Sequence, residues 1–172
     1  MPATRGRSAA KARSAAAPRT EAPAHTGAPR LRVERVFNAP RELVWRAWTD
    51  RRHLMRWWGP DGFTCPVAEM DVRAGGRFRT CMTEPDGTEH WVSGTYLVVE
   101  PLQKLVFTWA WDTDGKPGHR STVTVELFAQ GRAKTRLVLN HAGHESKTSR
   151  DSHRWGWSSS LDCLATALAA AK

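Results

Sequence analysis

The sequence has little cysteine, no signal peptide and no long apolar run. Its three cysteines, Cys65, Cys81 and Cys163, form no C-x-x-C pair of the kind found in zinc ribbons and redox motifs. No apolar segment approaches the roughly 20 residues that a membrane-spanning helix requires, and the N-terminus lacks the apolar stretch of a secretory signal. We therefore predict a cytoplasmic protein with free thiols and no membrane contact.

Residues 1–29 contain no leucine, isoleucine, valine or aromatic residue. A segment built mainly from Ala, Arg, Pro, Ser and Thr cannot bury enough apolar surface to offset the entropy lost on ordering. We predict that 1–29 is a disordered basic tail and that 30–172 forms one domain. The tail is either a solvated extension, a weak contact for nucleic acid or anionic surfaces, or an organelle transit peptide.

The net charge of +9 is spread unevenly along the chain. Residues 1–30 hold six basic residues and one acidic residue, which gives +5, whereas 31–172 hold twenty basic and sixteen acidic residues, which gives +4. Most of the excess charge therefore belongs to the tail. A mildly basic domain does not indicate nucleic-acid binding, so any such contact would be weak and made by the tail.

The ordered part begins with an alternating apolar pattern over 31–37, which predicts a strand. Asn38 is a candidate helix cap and Pro40 suits a first helical turn, so a short helix should follow. Asp50 can cap a second short helix that extends through Trp58. From 63 to 140 the sequence has turn signals every 8–12 residues and predicts about six antiparallel strands.

The C-terminal segment 146–172 lacks proline and predicts one long helix. Its apolar stripe consists of Trp157, Leu161, Leu164 and Leu168. Gly156 costs such a helix about 1 kcal/mol, and we expect it to permit close approach to the sheet. The predicted fold is α+β: a curved antiparallel sheet wrapped around the long C-terminal helix, with two short helices after the first strand.

Several motifs resemble one family. They are Ala39-Pro40-Arg41-Glu42-Leu43-Val44-Trp45-Arg46-Ala47-Trp48-Thr49-Asp50, Trp57-Trp58-Gly59-Pro60, Ala74-Gly75-Gly76-Arg77-Phe78, Leu105-Val106-Phe107-Thr108-Trp109, Gly156-Trp157 and Leu161-Asp162-Cys163-Leu164-Ala165. In this order they are similar to homologues of the activator of the heat-shock-protein-90 ATPase, within the START-like (SRPBCC) superfamily. The resemblance spans 31–170 and implies a helix-grip fold in a bacterial-type protein. The eukaryotic activator has a further N-terminal domain, for which 1–29 is too short and too polar. The resemblance therefore implies the fold and leaves the ligand open.

Three histidines near the end of the last strand could suggest a metal site. His141 and His144 are separated by two residues, and His153 follows after eight more, which fits no zinc pattern. We therefore predict no metal. His141 continues the apolar face of the last strand, so it either points into a cavity to orient a ligand or hydrogen-bonds a neighbour.

Glu69, Asp71 and Glu100 are the other candidates for acid–base chemistry, but they fall at strand ends and turns, where carboxylates are ordinarily solvated. Paired catalytic carboxylates must converge in a cleft. Gly75-Gly76 precedes a strand and predicts a turn instead of a phosphate loop. We expect neither catalytic residues nor a cofactor.

Aromatic residues are the strongest functional signal, because aromatic walls suit a pocket for a small apolar molecule. The predicted ligand-binding residues are Trp57, Trp58, Phe63, Phe78, Met82, Trp91, Phe107, Trp109, His141, Trp157 and Leu161. The same rings could instead fill the space as a core. The leading hypothesis is non-catalytic binding of a small hydrophobic or aromatic ligand by a monomer or homodimer. The alternatives are a chaperone-associated or other protein-interaction module and, by analogy with cyclase relatives, an enzyme.

Overall fold

The structure, a computed structural model, describes residues 26–171. Its elements in chain order are β1 (Arg30–Phe37), α1 (Arg41–Thr49), α2 (Arg51–Leu54), β2 (Thr64–Met70), β3 (Arg77–Thr83), β4 (Glu89–Glu100), β5 (Lys104–Thr113), β6 (Lys116–Pro117), β7 (Ser121–Gln130), β8 (Lys134–Ala142) and α3 (Lys147–Ala170). The prediction of disorder falls largely on residues 1–25, which lie outside the described residues. At the start of the domain, the Pro29 carbonyl accepts a hydrogen bond from the His144 backbone N–H at 3.2 Å.

The strands form one open antiparallel sheet in the order β1-β8-β7-β5-β4-β3-β2, and the two-residue β6 pairs with β5 alone. Strands β1 and β2 are the two edges, so α1 and α2 carry the chain from one edge to the other. The predicted fold is confirmed: an α+β sheet with two short helices after its first strand and one long C-terminal helix. The six predicted central strands correspond to β2, β3, β4, β5, β7 and β8.

Curvature of the sheet is favoured by a close contact at Gly94 in β4. Gly94 pairs with Phe78 of β3, and a Cβ there would lie 1.9 Å from the Thr108 carbonyl oxygen and 2.5 Å from the Phe78 ring. Only glycine fits where two backbones and a ring approach this closely. The Phe78 ring covers the bare backbone, an arrangement that suits a bent sheet.

The two short helices differ from the predicted ones at their ends. Asn38 does not cap α1; the cap position is Pro40, with no side-chain hydrogen bond. Asp50 does cap α2, since its carboxylate accepts from the His53 backbone N–H at 3.1 Å. Helix α2 ends at Leu54 and not at Trp58, because the Trp57 N–H bonds the Leu54 carbonyl three residues back and tightens the chain into a turn.

Helix α3 is divided along its length. Its first ten residues include no buried residue, and all five of its buried residues, Trp157, Ser160, Leu161, Leu164 and Leu168, follow them. The four apolar residues among them pack in one continuous core with α1 and the sheet. A Cβ on Gly156 would meet no atom within 4 Å. The expectation that Gly156 permits close approach to the sheet is therefore wrong, because this glycine borders open space.

Candidate functional site

A cavity of about 730 Å³ lies between the first half of α3 and the part of the sheet formed by β3, β4 and β5. Its lining residues are Trp58, Gly59, Pro60, Phe63, Met82, Glu84, His90, Trp109, Trp111, Thr148, Asp151, Ser152, His153, Trp155, Gly156, Trp157 and Ser160. Trp155 is 65% exposed, and Thr148, Asp151 and Ser152 are also exposed. The mouth of the cavity therefore lies along the solvent side of α3.

Local sequence explains why this space stays open. Besides Trp155 and Trp157, the first half of α3 contributes Thr148, Asp151, Ser152, His153 and Gly156 to the lining, none of which is a large apolar side chain. The loop after α2 supplies the opposite wall, where Gly59 adopts a φ of 121° and allows the chain to turn from Trp58 toward Phe63. Small and polar residues on the helix thus leave a space that aromatic residues border on the other sides.

Five of the predicted ligand-binding residues line this cavity: Trp58, Phe63, Met82, Trp109 and Trp157. Trp157 forms the boundary between cavity and core, since its ring lies 5.1 Å from that of Trp109 and 6.1 Å from that of Trp48. The structure thus brings together the predicted residues that lie nearest the first half of α3.

Four other predicted ligand-binding residues lie in the protein core and not in the cavity lining. Trp57, Phe78, Phe107 and Leu161 are buried in the core. Phe78 and Phe107 border a second void of only about 10 Å³, which is about the smallest volume that holds one water. Rings fill the space below α1 and α2, so the core and the cavity are separate neighbours.

Trp91 lies on the other face of β4. Successive strand residues point to opposite faces, and its neighbours Val92 and His90 face inward. The Arg79 guanidinium sits 3.9 Å from the centre of the Trp91 ring. Because Trp91 packs on the outer face, it cannot touch a ligand in the cavity.

His141 is fully buried behind Trp157 and does not line the cavity. Its Nδ1 accepts from the Trp157 indole N–H at 3.0 Å, and its Nε2 lies 2.7 Å from the Ser121 hydroxyl. This pairing fixes the neutral tautomer with a proton on Nε2. Of the two roles that the sequence left open, the structure shows hydrogen bonding to neighbours.

His153 and His144 pack against His141, with ring centres 5.0 and 4.2 Å from it. Burial is the main cause that lowers the pKa of both side chains, to about 4 for His144. The backbone carbonyl of Ser149 accepts from His153 Nδ1 at 2.7 Å, so Nε2 is free to accept the Trp111 indole N–H at 2.9 Å. Both rings are therefore neutral at pH 7.

The indole N–H groups of the cavity walls point toward protein partners. Trp58 donates to the Thr80 hydroxyl at 3.0 Å, while Trp157 and Trp111 donate to His141 and His153. The Trp109 nitrogen is buried without a partner in the described part of the chain. Trp58, Trp111 and Trp157 therefore offer a ligand carbon surface and ring faces, because their indole N–H groups are already bonded to the protein.

Carboxylates provide the charge in the lining. Glu84 Oε1 lies 2.5 Å from His90 Nε2 at one wall, and Asp151 lies on α3 opposite. A hydrogen bond from Arg150 is the main cause that lowers the pKa of Asp151, so this carboxyl group is ionised at neutral pH. The lining includes no lysine or arginine.

Sequence reasoning missed Glu84, His90, Trp111, His153 and Trp155 as lining residues. His90 and Trp111 could have been found from the strand pattern. Strands β4 and β5 pair as antiparallel neighbours, so the start of β4, with His90, lies beside the end of β5, with Trp111. The residues on α3 carry no such signal. A polar first half of a helix is typical of a solvated surface.

The remaining candidates for chemistry are dispersed. Glu69 and Glu100 are exposed, and Asp71 accepts from the Arg73 side chain at 2.8 Å on the surface. Cys65, Cys81 and Cys163 are free thiols, and burial raises the pKa of Cys65 to about 11. Within residues 26–171, no three His, Cys, Asp or Glu side chains are grouped so as to hold a metal ion. No helix in the same range is long and apolar enough to cross a membrane.

Comparison with known proteins decides the family. The model of the family "Activator of Hsp90 ATPase homolog 1-like protein" matches residues 38–169. This chain belongs to that family. The crystal structure of the AHSA1 protein from Silicibacter pomeroyi is 32% identical, with a TM-score of 0.75 over 84% of this chain and 100% of the other.

Two further members of the fold are similar. A protein from Chromobacterium violaceum is 28% identical, with a TM-score of 0.73 over 81% of this chain and 96% of its own. One from Nitrosomonas europaea is 28% identical, with a TM-score of 0.69 over 81% and 93%. No curated protein matches the chain significantly. Membership in the Hsp90-activator homologue family establishes the START-like fold and names no ligand.

Proposed function

We propose that the protein binds a small, largely apolar or aromatic molecule in the cavity beside α3, without catalysing a reaction on it. One observation carries the proposal: the space measures about 730 Å³ and has Trp58, Phe63, Trp109, Trp111 and Trp157 in its walls. Ligand pockets usually measure about 300–1,000 Å³ and bind mainly by burying apolar surface.

The arrangement of polar groups supports binding over catalysis. The imidazoles of His141 and of the lining residue His153 use both ring nitrogens on protein partners. A general base needs a free nitrogen or oxygen within reach of the substrate proton. Glu84 and Asp151 stand at the walls and could fix the orientation of a ligand.

The test is titration with N-phenyl-1-naphthylamine, a neutral fluorescent probe, against two variants. Gly156→Leu should abolish binding, because its side chain would enter the open space beside the glycine. Ala165→Leu makes a similar change on the same helix at an exposed position outside the lining, and should bind like the wild type. Absence of binding to the wild type, or equal binding by both variants, would overturn the proposal.

The alternative function, a protein-interaction module, is supported by a pair of exposed apolar residues on the sheet. Val36 and Phe128 are 54% and 41% exposed, and both pair in register with Arg136 of β8 on the outer face of the sheet. Substitution of Phe128 by Ser would remove a bound protein partner while leaving probe binding intact.

A further inference from the structure

We infer that the cavity selects organic cations, namely apolar molecules that carry an ammonium group. This inference rests on the proposed function and adds to it the charge of the ligand. Its basis is the contrast between the cavity and the rest of the molecule. Residues 31–172 have a net charge of +4, whereas the lining holds Glu84 and Asp151 and neither lysine nor arginine.

The aromatic walls favour a cation for a geometric reason. The indole N–H groups of Trp58, Trp111 and Trp157 bond to protein acceptors, and their ring systems form much of the cavity surface. Ring faces carry partial negative charge and attract ammonium groups within about 6 Å of their centres. An anion would meet the same faces unfavourably.

The carboxylates lie where they can add to this attraction. Glu84 pairs with His90 at a wall that includes Phe63, whose ring lies 5.8 Å from that of His90. Asp151 lies near the mouth, next to the exposed ring of Trp155. Arg150 pairs with Asp151 at 2.9 Å but is not among the lining residues. The hairpin wall and the α3 wall of the cavity therefore each contribute one carboxylate.

The N-terminus of α3 acts against the binding of a cation. The N-terminus of α3, capped by Ser146, lies close to the lining residues Thr148 and Asp151. Helix N-termini favour anions, and so does the net charge of the chain at long range. A preference for cations would therefore have to come from the cavity itself, which makes it measurable.

The experiment compares three ligands of equal chain length: decyltrimethylammonium, 1-decanol and decanoate. Binding is measured by tryptophan fluorescence and calorimetry at about 0.15 M salt, where the charges of distant groups are largely screened. We expect decyltrimethylammonium to bind at least about tenfold more tightly than decanol, as one strong cation–π contact would provide, and decanoate to bind most weakly.

Two double variants locate the source of the preference. Glu84→Gln with Asp151→Asn should reduce the affinity for decyltrimethylammonium toward that for decanol and leave decanol unchanged. Glu89→Gln with Asp162→Asn removes the same charge from the same hairpin and helix, outside the lining, and should keep the preference. Equal loss of preference in both variants would overturn the inference.

The outcomes separate the two proposals. If decanol or decanoate binds as tightly as the cation, the inference fails and the proposed function stands. If N-phenyl-1-naphthylamine binds and none of the decyl ligands does, the inference also fails alone. If no probe binds to the wild type, both fail.

Discussion

The indole N–H of Trp157 donates to Nδ1 of His141 over 3.0 Å, in a place that solvent does not reach. The bond joins α3 to the last strand and places Trp157 between the core and the cavity. A buried donor that loses its acceptor costs about 1–3 kcal/mol. His141 is therefore a structural residue that holds one wall of the cavity.

Replacing His141 by Leu should lower the free energy of unfolding by about 2–4 kcal/mol, because the Trp157 N–H and the Ser121 hydroxyl would both lose a partner. Urea denaturation followed by tryptophan fluorescence measures the loss. Trp157→Phe and the double variant complete a thermodynamic cycle. A coupling energy near zero would show that the bond contributes nothing to stability.

Acid should destabilise the fold before its carboxylates are protonated. The folded pKa of His144 is about 4, below its ordinary value of 6.5, and burial also lowers the pKa of His153. Between these pKa values the two histidines are protonated in the unfolded chain but stay neutral in the folded one. The free energy of unfolding therefore has its full value above about pH 6.5 and falls as the pH drops toward 4.

Urea midpoints at pH 7.5 and pH 5 measure this loss. His144→Gln can keep the hydrogen bond to the His141 carbonyl and should show a smaller difference between the two pH values. An equal pH dependence in both proteins would exclude His144 as its source.

Truncation of the buried leucines of α3 should be severe. Leu161 and Leu164 are both 0% exposed, and Leu→Ala in such positions costs about 2–5 kcal/mol. Thr166→Ala, at an exposed position on the same helix, should change the unfolding free energy by less than about 0.5 kcal/mol. If both leucine variants kept the wild-type midpoint, α3 would not be packed as described.

Gly156→Ala should stabilise the protein by up to about 1 kcal/mol, because alanine is the better helix former and its Cβ meets no neighbour. Thermal unfolding measures the gain. Gly94→Ala is the contrasting variant: its Cβ would overlap the Thr108 carbonyl, and a large loss of stability is expected. A destabilised Gly156→Ala protein would mean that the space beside the glycine is not open.

The sequence was sufficient for the fold because the relevant patterns are local. Alternating residues predicted the strands, the Trp157-to-Leu168 stripe predicted α3, and the family motifs agreed with both. The division between cavity and core was not predictable, because Phe107 and Trp109 have the same pattern and face on β5. Phe107 borders a space filled by Trp48 of α1 and Leu54 of α2, whereas Trp109 borders the open space beside the first half of α3.

In α3, the residues that pack into the core and most of the residues that line the cavity lie in different parts of the helix. Residues from 157 onward hold the fold together, whereas Thr148, Ser152, Trp155 and Gly156 contribute to the cavity and bury little surface. Substitutions in these two helical turns would therefore change the shape and charge of the cavity at little cost to folding. A library randomised at these four positions would consist mainly of folded proteins with different cavities.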